Sequence, residues 1–107
     1  MTYKVALTDR AHDELDHACT WWAENRSPEQ GLKWYNGFIR AIRSLANDPQ
    51  RCPLAAENDA FPYEIRQLTY GLGKRPTHRA VFTIRPDLVL VLRIRHLAQQ
   101  RLSPDNS

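Results

Sequence analysis

A chain of 107 residues, 42% of them hydrophobic, holds one folded domain with one modest core, which excludes a cofactor-binding domain beside a separate substrate domain. The net charge is +3 but unevenly spread: residues 1–65 carry seven basic and ten acidic side chains, residues 66–107 eight and two. The late excess is almost all arginine (Arg66, Arg75, Arg79, Arg85, Arg93, Arg95 and Arg101), whose fork suits phosphates and carboxylates, so a polyanion or an acidic protein is the expected partner.

In chain order, residues 3–7 read as a short strand. Thr8 is a candidate N-cap with Asp9 in the first turn, and a helix runs to about residue 26 with Ala11, Leu15, Ala18 and Trp22 at helical spacing. Ser27-Pro28-Glu29-Gln30 is an S-x-x-Q capping box with proline at the first helical position. The second helix carries Tyr35, Phe38, Ile42 and Leu45, and Asn47-Asp48-Pro49 ends it. The short link predicts an antiparallel helical hairpin, with Trp21 and Trp34 as its other wall or as an exposed patch.

Residues 49–62 read as irregular. Residues 63–70 read as a strand whose alternation breaks between Ile65 and Leu68, which suggests a bulge. After a flexible link at 71–76, residues 77–85 form a strand with Ala80, Phe82 and Ile84 on one face. Pro86-Asp87 turns into a last strand over 88–95, apolar on both parities at its start as a covered central strand should be. A polar tail, expected to be mobile, spans 99–107, leaving one domain over 1–98. The order β-α-α-β-β-β describes an α+β domain: an N-terminal strand, an antiparallel helical hairpin, and three mostly antiparallel strands completing a small four-stranded sheet. The hairpin covers one face, and the other is expected to be partly open and to present the arginines.

Cys19 and Cys52 lie outside any CxxC or Cys/His ligand spacing, and two thiols make no disulfide framework, so a reducing, cytoplasmic setting is expected. The start runs directly into a strand without the apolar core of a signal peptide, and the longest apolar stretch, 88–92, is too short to span a membrane. His12 and His17 are five apart on one helix, a poor spacing for a shared metal. Neither a metal nor another cofactor is expected.

Five segments, in order and with compatible spacing, resemble one family. Thr8-Asp9-Arg10-Ala11 is similar to its strand-to-helix opening, and the helix end from Ile42 through Leu45 to Pro49 to its I-x-x-L-x-x-x-P ending. Arg66-Gln67-Leu68 resembles its R-x-L strand, His78-Arg79-Ala80-Val81-Phe82 its Y/H-R-V-x-Y strand, and Val91-Leu92-Arg93-Ile94-Arg95-His96 its closing V-L-R-V-x-H strand. The chain thus resembles the RelE/ParE toxins of bacterial type II toxin–antitoxin (plasmid stabilization) systems, and its long capped hairpin looks nearer to the ParE branch. The resemblance implies a growth inhibitor silenced by a cognate antitoxin. Its target is either messenger RNA in the ribosome, cut by an endonuclease, or DNA gyrase, poisoned without catalysis. A degenerate fold that only binds a partner is the third reading.

For RNA cleavage, a base must take the 2′-hydroxyl proton, cations must hold the phosphorane charge, and an acid must protonate the leaving oxygen. Arg79 matches the phosphate-holding arginine and His96 the histidine closing the last strand; these are the candidate catalytic residues. Arg66, Arg93 and Arg95 are candidate phosphate- or partner-binding residues, and an extended or helical antitoxin segment would lay acidic or apolar side chains on these three and on Arg79. In a regular strand Arg93 and Arg95 share a face that His96 does not, so cleavage needs a bulge or strand end near His96. Glu57, a possible base, reads better as a solvated loop carboxylate. Only Lys74 among lysines lies near these strands and no tyrosine follows Tyr70, which points away from lysine-dependent cleavage.

Overall fold

The computed structural model describes residues 2–99 and 101–104. It contains β1 (Lys4–Leu7), α1 (Asp9–Asn25), α2 (Pro28–Arg43), β2 (Arg66–Tyr70), β3 (His78–Ile84) and β4 (Leu88–His96), with three short 3₁₀ turns between α2 and β2. The expected β-α-α-β-β-β order is the one observed. The sheet runs β1-β4-β3-β2, with β1 parallel to β4 and the other two pairings antiparallel.

Both helices start where their caps dictate. Thr8 Oγ1 accepts from Ala11 N at 3.1 Å and donates to Leu92 O at 2.9 Å, so one hydroxyl caps α1 and ties it to β4. Ser27 Oγ accepts from Gln30 N at 3.1 Å, with Pro28 as the first residue of α2. The hairpin closes tightly at Gly31, where an added Cβ would lie 3.1 Å from both Ala23 Cβ and Cys19 O. The buried stripe of α2 is Gly31, Trp34, Phe38 and Ile42, so Trp34 belongs to the core and Tyr35 to its half-buried flank. Of the other tryptophans, Trp22 packs partly against the core and Trp21 is 51% exposed.

The sheet is covered on both faces, which corrects the expectation of a partly open one. On the helical face Ala11, Leu15, Trp34, Phe38 and Ile42 meet Ala80, Phe82, Val89, Val91 and Ile94. On the other face Ala55, Ile65, Val81 and Leu102 form a second, smaller core, with Phe61 and Leu92 against it. Ile65 and Leu68 have opposite parity because each serves a different core. The expected bulge of that strand is absent: β2 begins only at Arg66, and Ile65 instead pairs with the loop, donating its N–H to Asn58 Oδ1 and accepting from Ala55 N. The observed bulge lies in β4, where Arg93 pairs with Val81 but Val91 with Phe82. Of the expected tail at 99–107, residues 100 and 105–107 lie outside the described residues. Leu102 is 4% exposed and packs into the second core, so that part of the tail is docked. No helix among the described residues is long and apolar enough to cross a membrane.

Candidate functional site

Arg79 stands on β3 between His78 and Ala80 and points to the second core's side of the sheet, where burial of a lone guanidinium would be costly. The cost is met by Glu57. Arg79 Nη1 donates to Glu57 Oε1 at 2.8 Å and to Gln67 Oε1 at 2.9 Å, and Nη2 donates to Glu57 Oε2. Both side chains are nearly inaccessible, 9% exposed for Arg79 and 1% for Glu57. The Arg79 hydrogen bonds, opposed by burial and reinforced by the Leu102 N–H at 2.9 Å, hold the Glu57 carboxyl down at about 2. Glu57 is thus no solvated loop carboxylate. It is the ionised hub joining the 3₁₀ loop, β3 and the C-terminal segment.

Arg93 lies past the bulge of β4, opposite Val81 and so on Arg79's side of the sheet, and its guanidinium meets α1. Its Nε and Nη2 donate to Glu14 Oε1 and Oε2 at 2.9 and 2.8 Å, and Glu14 Oε1 also accepts from Ile94 N at 3.0 Å. β1 pairs with β4 only as far as Val91, so Glu14 serves the strand edge that β1 leaves uncovered. Arg66 is bound to its own loop, donating to Glu64 Oε1 at 3.0 Å and to Cys52 O at 2.6 Å. Arg95 pairs in register with Arg79, and burial, then the charge of Arg93, push its guanidinium below the usual range. Arg66, Arg93 and Arg95 therefore do not form one open cationic face. Two of them are held by carboxylates of this same chain, Arg66 by Glu64 and Arg93 by Glu14.

His96 pairs in register with His78, while Arg79 pairs with Arg95. Adjacent strand residues point to opposite faces, so Arg79 and His96 are not brought together. The bulge at the middle of β4 lies too far back to change that. His96 joins a different constellation: its ring meets His78 edge-on at 5.0 Å, and His78 meets Trp34 at 5.0 Å. His96 Nδ1 accepts from Ala98 N at 3.0 Å, which leaves the proton of the neutral ring on Nε2. Burial, followed by the neighbouring His96, depresses His78 to about 4, so His78 is neutral at physiological pH. The two histidines open on a cleft of about 370 Å³ lined by Ala18, Trp21, Trp22, Arg26 and Thr77. The Trp22 indole N–H is buried without a hydrogen-bond partner among the described residues. Trp21 stands edge-on to Trp22 at 5.5 Å, and Leu97 beside His96 is 42% exposed.

Glu57, Glu14 and Gln67 are the site residues that sequence reasoning did not assign. One signal for them was available: Arg79 and Arg93 interrupt strongly apolar strands, and a charge there demands a carboxylate. Sequence separation hides which carboxylate, since Glu57 is 22 residues from Arg79 and Glu14 is 79 from Arg93.

A family model described as "ParE toxin of type II toxin-antitoxin system, parDE" matches residues 5–101. Among solved structures, a chain of the "Chromosomal ParDE TA system from P. aeruginosa" superposes with a TM-score of 0.72 at 20% identity, covering 89% of this chain and 96% of that one. No curated protein sequence matches.

Proposed function

The chain belongs to the family of ParE toxins of type II toxin–antitoxin systems, and we propose that it halts growth by binding DNA gyrase without catalysing a reaction, and that a cognate antitoxin silences it. The observation that carries this reading against RNA cleavage is the Arg79–Glu57 pair. A phosphate-holding arginine needs its fork open toward solvent, and this one is filled by a carboxylate of its own chain. The other candidate, His96, faces away from it, so Arg79 and His96 do not converge on one phosphate.

The cleft lined by Trp21, Trp22 and Arg26 is the surface we assign to the target. Tryptophan and arginine are the side chains that most often dominate protein–protein binding energy, and exposed Trp21 offers a large ring at little entropic cost.

The test is pulse labelling of DNA and protein synthesis after induced expression, beside a supercoiling assay with purified gyrase. DNA synthesis is expected to stop first and supercoiling to be inhibited. Trp21→Ala is expected to weaken inhibition at least tenfold with an unchanged unfolding midpoint. Arrest of translation first, with cleaved messenger RNA, would overturn the reading.

A further inference from the structure

We infer that the cleft beside His78 and His96 recognises a carboxylate side chain of the protein target, held between Arg26 and the His96 ring, with an apolar neighbour of that residue laid on Trp21. The partner is the one named above, so this inference rests on that functional reading and adds the chemistry of recognition. Three side chains of the lining are donors without an acceptor. Arg26 is exposed at the end of α1, and its guanidinium has no hydrogen-bond or ion-pair partner among the described residues. His96 keeps its ring proton on Nε2, because Nδ1 accepts from Ala98 N at 3.0 Å. The Trp22 indole N–H is buried and unpaired among the described residues. An arginine at a helix C-terminus is ordinary by itself, since it offsets the helix dipole. Here it meets other donors around one cavity that has no carboxylate in its lining, although α1, which forms its wall, carries five, Asp9, Asp13, Glu14, Asp16 and Glu24.

The two histidines divide this cleft from a second one of about 280 Å³, to which Glu14, His17 and Gln99 contribute. There the carboxylate is already in place: Glu14 accepts from Arg93 and from Ile94 N. Donors in want of an acid therefore lie on the tryptophan side alone. The same surroundings select a single carboxylate over a nucleic acid. A phosphate backbone is held by several cations along its track. This cleft has one arginine, and the helix beside it carries five carboxylates against Arg10, which repels a polyanion. One acidic side chain takes the Arg26 fork in a charge-assisted pair, and the 51% exposed Trp21 covers the apolar residue next to it. A cavity of about 370 Å³ is in the range that holds one small polar group with its apolar neighbour.

The probe is 3-phenylpropionate, with 3-phenylpropanamide as its uncharged control, titrated into the full chain and followed by the indole N–H and arginine Nε–H resonances. The acid is expected to bind at least tenfold tighter than the amide and to shift the Arg26 and Trp21 signals. Arg26→Gln is expected to abolish that preference, and Arg10→Gln, at the exposed start of α1, to keep it. His96→Phe keeps a ring against His78 but loses the donor, so it is expected to weaken the acid and leave the amide unchanged. In the supercoiling assay Arg26→Gln is expected to weaken inhibition at least tenfold with an unchanged unfolding midpoint. Equal binding of acid and amide, or the same loss in Arg10→Gln, would overturn the carboxylate site. So would displacement of the acid by a single-stranded oligonucleotide at an equal concentration of phosphate groups, in favour of a nucleic-acid ligand. If wild type and Arg26→Gln inhibit gyrase alike, the carboxylate site is refuted while the functional reading stands. If the wild type leaves gyrase untouched, the functional reading fails, and the titration still decides whether the cleft takes a carboxylate.

Discussion

At the scale of single residues, the charges that look most like chemistry hold the fold together. Removing one partner of a buried ion pair leaves the other charged and desolvated, at a cost of about 3–5 kcal/mol, whereas replacing both by apolar groups of similar volume is often near neutral. Glu57→Ala and Arg79→Ala are each expected to lose about that much in urea unfolding, and Glu57→Leu/Arg79→Met to regain most of it. If the fold-stable double variant also kept full growth arrest, Arg79 would be shown to touch no target. If it were harmless, the arginine would be needed beyond folding. The pH dependence has two arms. His78 is depressed by burial to about 4 from 6.5, so its neutral form stabilises the fold above the unfolded value, and stability falls as pH drops from about 6.5 toward 4. Glu57 is depressed to about 2 from 4.5, so its contribution is full above 4.5 and is lost toward pH 2. His78→Gln is expected to flatten the upper arm of a stability–pH curve and leave the lower one. An unchanged upper arm in that variant would assign it to another group.

At the scale of elements, helix–sheet contact depends on one missing side chain. A Cβ built at Gly37 on α2 would overlap the Tyr70 hydroxyl at the end of β2, and that ring is stacked on Phe38 with centroids 4.8 Å apart. Alanine favours a helix over glycine by up to about 1 kcal/mol, but overpacking here costs about 1–3 kcal/mol. Gly37→Ala is therefore expected to be destabilising, and Gly37→Ala/Tyr70→Phe to recover, because the phenyl lacks the overlapping oxygen. A thermal-melt double-mutant cycle with no coupling between the two would contradict this. The same elements show what sequence conveys about a fold. The Thr8 and Ser27 caps and the face of Ala80 and Phe82 were legible because caps and alternation are local physics. The start of β2 was not, since Ile65 is apolar for a reason that lies across the sheet, in contact with Ala55 and Leu102. The bulge at Leu92 left no mark either, because β4 is apolar on both parities there.

At the scale of the whole molecule, the sheet separates two cores of unequal size, and the candidate site could not be read from sequence because it follows that division. Arginine content suggested one cationic face. Arg79 enters the smaller core with Glu57, Arg93 is taken by Glu14 of α1, and Arg40 and Arg43, on a helix read only for its apolar stripe, are left as exposed cations. The smaller core should also be the weaker one. It is closed by a loop and by a C-terminal segment fastened through Leu102, whose N–H binds Glu57 and whose neighbour Arg101 donates to Ala56 O. Leu102→Ala removes most of a buried side chain, at a cost of about 2 kcal/mol or more. Its effect is expected to be local, because the larger core of helices and sheet does not touch it. Native-state hydrogen exchange should then speed up at the Ile65 and Ala55 amides, which bond within the loop. Amides in the middle of α1 and α2 should keep their wild-type rates under the same conditions. Uniform acceleration on both faces would instead mean that the domain opens as a single unit, with the Glu57 hub as a keystone for the larger core as well.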